Sequence, residues 1–345
     1  MTSCNEGAIS NSVHRSLPLI NTSAAPARTA PRSVRISLTD RCDLACVYCR
    51  PSRKDERLPE HLSWDALAGV IEGLFHAGID RMRFTGGEPL LSPHAVRAVA
   101  HAHGLGVSDL ALTTNGTRLA ELAPALRAAG LGRLTLSLDS LDETRFARIT
   151  RGGNLRRVLA GLEAARAVGF DEIKINCVVL RGENDAELES ILLWAWGLGL
   201  VPRFIEVMPI AEGAKLVPEK LVPAATMRER LSHLLSPDEA VRDPNRGPAK
   251  YVRSADGRHR VGFITGTTDT YCEGCDRLRV SAAGVLRPCL ASDAGVAVEN
   301  LSVKEKPAAI AELVERAWAL KPDGRVFRGC TEPEAAGLSM RAIGG

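Results

Sequence analysis

Ser33-Val-Arg-Ile-Ser-Leu-Thr-Asp-Arg-Cys-Asp-Leu-Ala-Cys-Val-Tyr-Cys49 runs from a β-rich segment directly into three cysteines, Cys42, Cys46 and Cys49. The spacing, x3 then x2, puts three thiols in one loop at the C-terminal end of a first strand. Three neighbouring thiolates suit a [4Fe–4S] cluster, in which a fourth iron stays open for a small chelating molecule. A zinc site ordinarily takes a fourth protein ligand, and none stands nearby in sequence. The spacing alone still leaves a zinc loop open.

Outward from this stretch, strand and helix patterns alternate. Apolar, β-rich segments fall at Val34–Leu38, Arg81–Thr85, Leu110–Thr113, Leu134–Leu138, Ile173–Leu180 and Phe204–Met208. Helical patterns lie between them at Trp64–His76, Ala95–His103, Leu119–Ala129, Leu155–Val168 and Ala186–Leu198. Ser92–Pro93 and Asn184–Asp185 read as helix starts, and Gly130 and Gly169 as left-handed caps. Repeated βα units imply a parallel sheet, because each parallel strand needs a crossover. Six such units fall short of a closed eight-stranded barrel. The fold expected is therefore α/β, a partial (β/α)6 barrel open on one side. The rhythm breaks after Met208, so the domains expected are a disordered arm over 1–30, the partial barrel over 31–214, and a smaller α+β domain over 215–345 that completes the barrel opening.

The second strand ends in Thr85-Gly86-Gly87-Glu88-Pro89, where two glycines let backbone approach a ligand closely. The C-terminal region carries a second trio, Cys272-x2-Cys275-x13-Cys289, followed after Cys275 by Asp276-Arg277-Leu278-Arg279. In an extended segment Arg277 and Arg279 share a face and make a phosphate clamp. A zinc ribbon completed by His259 or Cys330 stays open for this trio. The remaining cysteines, Cys4, Cys177 and Cys330, stand alone; Cys177 reads as a buried apolar residue.

With 345 residues and a net charge of +3, no global field points to nucleic acid or to a membrane surface. No apolar run is long enough to span a bilayer and the N-terminal residues lack a secretory signal core, so a cytoplasmic location is expected. In a reducing compartment, clustered cysteines bind metal more often than they form disulfides.

The cysteine loop, with aromatic Tyr48 before its last thiol, and the Gly-Gly-Glu-Pro loop together resemble the radical S-adenosylmethionine superfamily. With the second trio, its Arg-x-Arg and the terminal Gly344-Gly345, the chain from about Ser33 to Gly345 looks like the GTP 3′,8-cyclase family of molybdenum cofactor biosynthesis. That resemblance implies two [4Fe–4S] clusters, on Cys42, Cys46 and Cys49 and on Cys272, Cys275 and Cys289. It implies S-adenosylmethionine contacts at Tyr48, Gly87, Ser137, Asn176 and Met208. GTP would be met by Arg35, Arg83, Thr113, Lys174, Arg277, Leu278 and Arg279, with Arg203 along the channel. Arg277 and the inserted tail, Gly344 and Gly345, would act in catalysis. The family chemistry is hydrogen abstraction at the ribose 3′ carbon by a deoxyadenosyl radical, then closure onto carbon 8 of guanine. It further implies an external electron donor and product hand-off to cyclic pyranopterin monophosphate synthase; a homodimer is left open. Two rivals remain at this point: a radical peptide-modifying maturase with an auxiliary cluster, and a zinc-ribbon protein.

Overall fold

The computed structural model describes residues 30–52, 54, 61–238, 240–242, 247–269, 271–272, 275–292, 294–298 and 306–322. All but the last residue of the expected arm lies outside these, as do Cys4, Cys330, Gly344 and Gly345.

Six strands form the centre: β1 (Ser33–Ser37), β2 (Arg81–Thr85), β3 (Asp109–Thr114), β4 (Arg133–Ser137), β5 (Glu172–Val179) and β6 (Val201–Glu206). They pair in sequence order and all in parallel. The crossovers carry α1 (Trp64–His76), α2 (Ala95–Gly104), α3 (Leu119–Ala128), α4 (Glu143–Ile149), α5 (Leu155–Val168) and α6 (Leu188–Gly197). Beyond β6 come α7 (Glu212–Lys220) and α8 (Ala224–Arg230), then β7 (Val241–Arg242), β8 (Lys250–Arg253), β9 (Arg260–Ile264), β10 (Arg277–Val280), β11 (Val285–Arg287), β12 (Val296–Ala297) and α9 (Lys306–Ala319).

Among the described residues the strands make one sheet ordered β12-β11-β10-β1-β2-β3-β4-β5-β6-β9-β8-β7. The C-terminal segment thus extends both edges, β10 lying parallel to β1 and β9 parallel to β6. The order runs from β12 to β7 without closing, which is the open barrel expected from six βα units.

Side-chain alternation explains which face is which. Val34 and Ile36, Met82 and Phe84, Leu134 and Leu136, Ile173 and Ile175, and Leu278 and Val280 enter the main core, where the crossover helices and α9 pack. Their alternate neighbours Arg35, Arg83, Thr135, Lys174, Asn176, Arg277 and Arg279 take the opposite face, because successive strand residues point to opposite sides. A parallel sheet covered by helices on both faces reads as continuous apolar runs; the alternation here marks an interior built to hold something polar.

Three local differences have physical reasons. Helix α4 is seven residues long, too short for periodicity to betray it, and starts where Asp142 accepts from the Arg145 N–H at 2.7 Å. At α6 the expected start at Asn184–Asp185 is a 3-10 turn over Asp185–Glu187. The Asn184 amide is spent elsewhere, donating to Asp139 O at 2.7 Å and Val178 O at 2.9 Å. Strand β6 begins at Val201 and ends at Glu206, so Met208 lies in the loop beyond it.

Helix α9 docks on α1 at Gly73, where an added Cβ would stand 2.4 Å from Ile310 Cβ. Gly73→Leu therefore overpacks this contact and should cost about 1–3 kcal/mol; chemical denaturation should show a lower urea midpoint.

Candidate active site

The register of the strands gathers the interior cations. Arg35 lies level with Arg83 on one side and Arg279 on the other. Thr135 of β4 stands between Thr113 and Lys174, and Asn176 lies level with Arg203. Arg83 Nη1 donates to Thr135 Oγ1 at 3.1 Å and to Thr113 Oγ1 at 3.4 Å, while Arg203 Nη2 donates to the same Thr135 oxygen at 3.2 Å. The Lys174 ammonium sits 2.8 Å from Glu172.

Burial and mutual repulsion leave this interior short of negative charge. Burial, then Arg203 and Arg133, bring Arg83 down to about 9. Burial and Arg203 bring Lys174 down to about 7 despite Glu172. Burial and Arg277 lower Arg279 to about 10, and burial with Arg279, Arg83 and Arg277 lowers Arg35. Each cation resists its own charge here, and an incoming polyanion would relieve all of them.

The first cysteine loop is held by backbone contacts. Ala45 and Val47 N–H groups donate to Thr150 O and Ile149 O at the end of α4, at 3.2 and 3.0 Å. Arg50 Nη1 donates to Cys42 O and Leu44 O, both at 3.1 Å. Arg151, which has a positive φ of 53°, donates to Arg50 O at 2.5 Å and Pro51 O at 2.9 Å. Against this loop lies the Gly-Gly-Glu-Pro turn. Gly87 N–H donates to Thr39 O and Glu88 N–H to Arg41 O, both at 2.7 Å. A Cβ on Gly86 would meet Thr39 O at 2.5 Å, and one on Gly87 would meet Arg41 O at 2.4 Å. The glycines are required by this loop-to-loop approach.

Glu88 is fully buried and joins three elements. Its carboxylate accepts from Thr114 Oγ1 at 2.7 Å, Leu90 N at 3.0 Å and Asn115 N at 2.6 Å. Asn115 Nδ2 in turn donates to Asp43 at 2.8 Å and reaches Cys42 Sγ at 3.8 Å. Tyr48 donates to Asp139 Oδ2 at 2.7 Å, and Asp139 Oδ1 accepts from Val178 N at 2.9 Å. Burial pushes the Asp139 carboxyl up to about 6 and, with Asp139 close by, raises the Cys46 thiol.

Tyr48, Ser137, Asn176, Met208, Arg35, Thr113, Arg277 and Arg279 all line one cavity of about 1010 Å³, its mouth included. A second hollow shares Arg35, Arg277 and Arg279 with it and is lined by Cys272, Cys275 and Cys289. Arg83 and Arg203 line a third beneath it. Leu278 faces the other way, fully buried in the core, so only its backbone is turned to the interior sheet face. Gly87 is packed on the cysteine loop, and His259 stacks on Trp196 at 5.4 Å, away from the second trio. Cys177 is buried in an apolar cluster, as expected.

The residues fit the groups implied for them. The seven described cysteines are thiols, with no disulfide. Among the described residues, no three Cys, His, Asp or Glu side chains converge on a single ion position. A four-iron cube needs no such convergence, since each thiolate takes its own iron. Asn176 Oδ1 is buried without a hydrogen-bond partner, an acceptor that a ligand donor would satisfy. At the second trio, Arg277 and Lys321 outweigh burial and bring the Cys275 thiol down to about 7, toward the thiolate that metals bind.

Residues 36–195 match the Radical SAM superfamily, and residues 201–327 match Molybdenum Cofactor Synthesis C. The chain is 40% identical to GTP 3′,8-cyclase of Pelotomaculum thermopropionicum over 84% of its own length and 91% of that protein. It is 38% identical to the GTP 3′,8-cyclase of Erythrobacter litoralis over 90% of its length and 95% of that protein. The chain belongs to the GTP 3′,8-cyclase family. Its fold is similar to that in the crystal structure of Streptococcus suis SuiB bound to S-adenosylmethionine, with a TM-score of 0.61. That match covers 80% of this chain and 65% of the other at 14% identity, a likeness of fold alone.

Read from sequence, Glu88, Asn115, Asp139, Tyr271 and Lys321 of this cyclase-family chain carry no assigned role. Glu88 stands inside the quoted Gly-Gly-Glu-Pro stretch, but nothing local reveals that Tyr48 meets Asp139. Tyr271 precedes the second trio and carries Arg277 5.3 Å above its ring. Lys321 follows α9 with no motif around it.

Burial raises the Glu88 carboxyl to about 7. The folded state therefore holds a proton that the unfolded chain has released, so stability falls as pH rises from the ordinary carboxyl range, about 4.3, toward 7. Urea midpoints of the metal-free chain should decline across that window. Glu88→Gln should flatten part of the decline while lowering stability at low pH, where its amide mismatches the Thr114 and Asn115 donors; an unaltered slope would refute this role.

Proposed function

We propose that this chain converts GTP to (8S)-3′,8-cyclo-7,8-dihydroguanosine 5′-triphosphate, the first step of molybdenum cofactor biosynthesis. The observation that carries the reading is the cationic interior, which opens into one cavity with the residues around the first trio and adjoins the second. A triphosphate is the polyanion this interior lacks, and the family of cyclase relatives supplies the rest of the substrate. The maturase alternative draws on SuiB, whose likeness is confined to fold.

Cys42, Cys46 and Cys49 would hold one [4Fe–4S] cluster and Cys272, Cys275 and Cys289 a second. The first cluster with S-adenosylmethionine would supply the electron and the radical that make the ribose 3′ carbon reactive toward carbon 8 of guanine. Asn176 would accept a hydrogen bond from S-adenosylmethionine, with Tyr48, Gly87, Ser137 and Met208 around it. Arg35, Arg83, Lys174, Arg203 and Arg279 would take the triphosphate, with Thr113 and the Leu278 backbone beside it. Arg277, between the second trio and the cavity, would neutralise charge at the reduction step. Gly344 and Gly345 lie outside the described residues, and their insertion into the site belongs to this proposal. So do the division into an arm over 1–30, a barrel over 31–214 and a C-terminal domain over 215–345, and the electron donor and hand-off to the pterin-forming synthase. None of the described helices is long and apolar enough to cross a membrane; the cytoplasm supplies the reducing conditions these thiols need.

The test is anaerobic reconstitution with iron and sulfide, then incubation with S-adenosylmethionine, dithionite and GTP. Deoxyadenosine should form only when GTP is present; formation indifferent to GTP would overturn the reading. Arg279→Ala removes one charge-assisted contact, about 1.5–3 kcal/mol, so kcat/KM for GTP should fall roughly ten- to hundred-fold. One bulky residue added after Gly345 should leave the iron content intact and abolish cyclisation.

A further inference from the structure

Lys321 lies just past α9, on the lip of the hollow that the second trio lines. Its ammonium has three protons to donate. One goes to Arg277 O at 2.7 Å, two residues after Cys275; another goes to Pro288 O at 2.8 Å, next to Cys289. The ammonium also lies within electrostatic reach of Cys275 and Cys289. Its position over the Trp318 ring, 4.6 Å from the centroid, anchors the stem to the same helix. One side chain therefore ties together two segments that the sequence separates: the strand leaving Cys275 and the turn entering Cys289. It also places a positive charge beside thiolates that repel one another.

We infer that Lys321 is the positioning residue of the second trio, holding its two arms at cluster spacing and neutralising the thiolates before and after iron binds. The inference rests on the reading that this trio binds a [4Fe–4S] cluster. Three thiolates on a cube make a net anionic centre, and each electron added makes it more so. A fixed ammonium at that edge favours the reduced form and raises the midpoint potential. Lys321 follows the helix that docks on α1 where Gly73 meets Ile310.

The experiment compares the full-length protein with Lys321→Met and Lys321→Arg, each reconstituted anaerobically, by iron analysis and by redox titration followed by electron paramagnetic resonance. The unaltered protein should hold about eight irons, two cubes of four; a content of four, with the second trio empty, would sink the underlying cluster reading instead. Given eight, Lys321→Met should fall toward four or keep the second cluster at a lower midpoint potential. Lys321→Arg, which keeps the charge, should retain the iron and the unaltered potential. Full first-trio iron and an unchanged circular dichroism spectrum identify a folded variant. Wild-type iron and potential in Lys321→Met would overturn the inference, as would equal losses in the Met and Arg variants.

Discussion

An excess of buried positive charge is the constraint around which this molecule is arranged. Arg35, Arg83, Lys174, Arg203, Arg277 and Arg279 share one sheltered face of the sheet, and each is held there by strands whose other face is apolar. Placing so many cations together is unfavourable for folding. The opposite face offsets this with a continuous core of Leu, Ile, Val and Phe against the crossover helices. The division of labour alternates along the central strands: one set of side chains lines the interior, and its neighbours on either side hold the sheet to the helices. A one-residue slip of register would exchange the two sets and destroy both at once.

Around this interior, the loops at the strand ends are fixed largely by hydrogen bonds between backbone groups. Thr39 and Arg41 carbonyls receive the Gly-Gly-Glu-Pro amides, and the end of α4 receives the amides of Ala45 and Val47. Glu88 closes the circuit through Thr114 and Asn115. The cysteines are thus placed by backbone geometry before any iron is considered. Preorganisation of this kind is what a radical reaction demands, because a loosely held reactive group would meet solvent or the wrong hydrogen.

Much of this was legible in the sequence, and the reasons for success and failure are physical. The six strands and the helices at Trp64–His76 and Leu155–Val168 were readable because their periodicities are long and uninterrupted. Both cysteine trios were readable because spacing along the chain is a local property. Helix α4 was hidden by its seven-residue length, and the start of α6 by the diversion of Asn184 to Asp139 and Val178. Leu278 was grouped with its arginine neighbours by proximity in sequence, but strand alternation turns it into the core. Asp139 and Lys321 depend on partners brought in from far along the chain, and no local pattern encodes such a meeting. The rows of cations were readable only as a list; the register across β10, β1 and β2 brings them side by side.

The order of the sheet has a further consequence, for how the chain acquires its shape. Both edges of the six-stranded centre are completed by residues made last: Ser33 waits for Arg277, and Arg203 waits for Gly262. Such distant pairings are slow to form, because loop closure must precede any gain from contact. During synthesis the first six strands can assemble while β1 and β6 each present an unpaired row of amides and carbonyls. Bare edges of that kind invite pairing with other chains. The C-terminal strands therefore act as a built-in protector of two edges, and a truncation before β9 leaves the centre intact in sequence but adhesive along both margins.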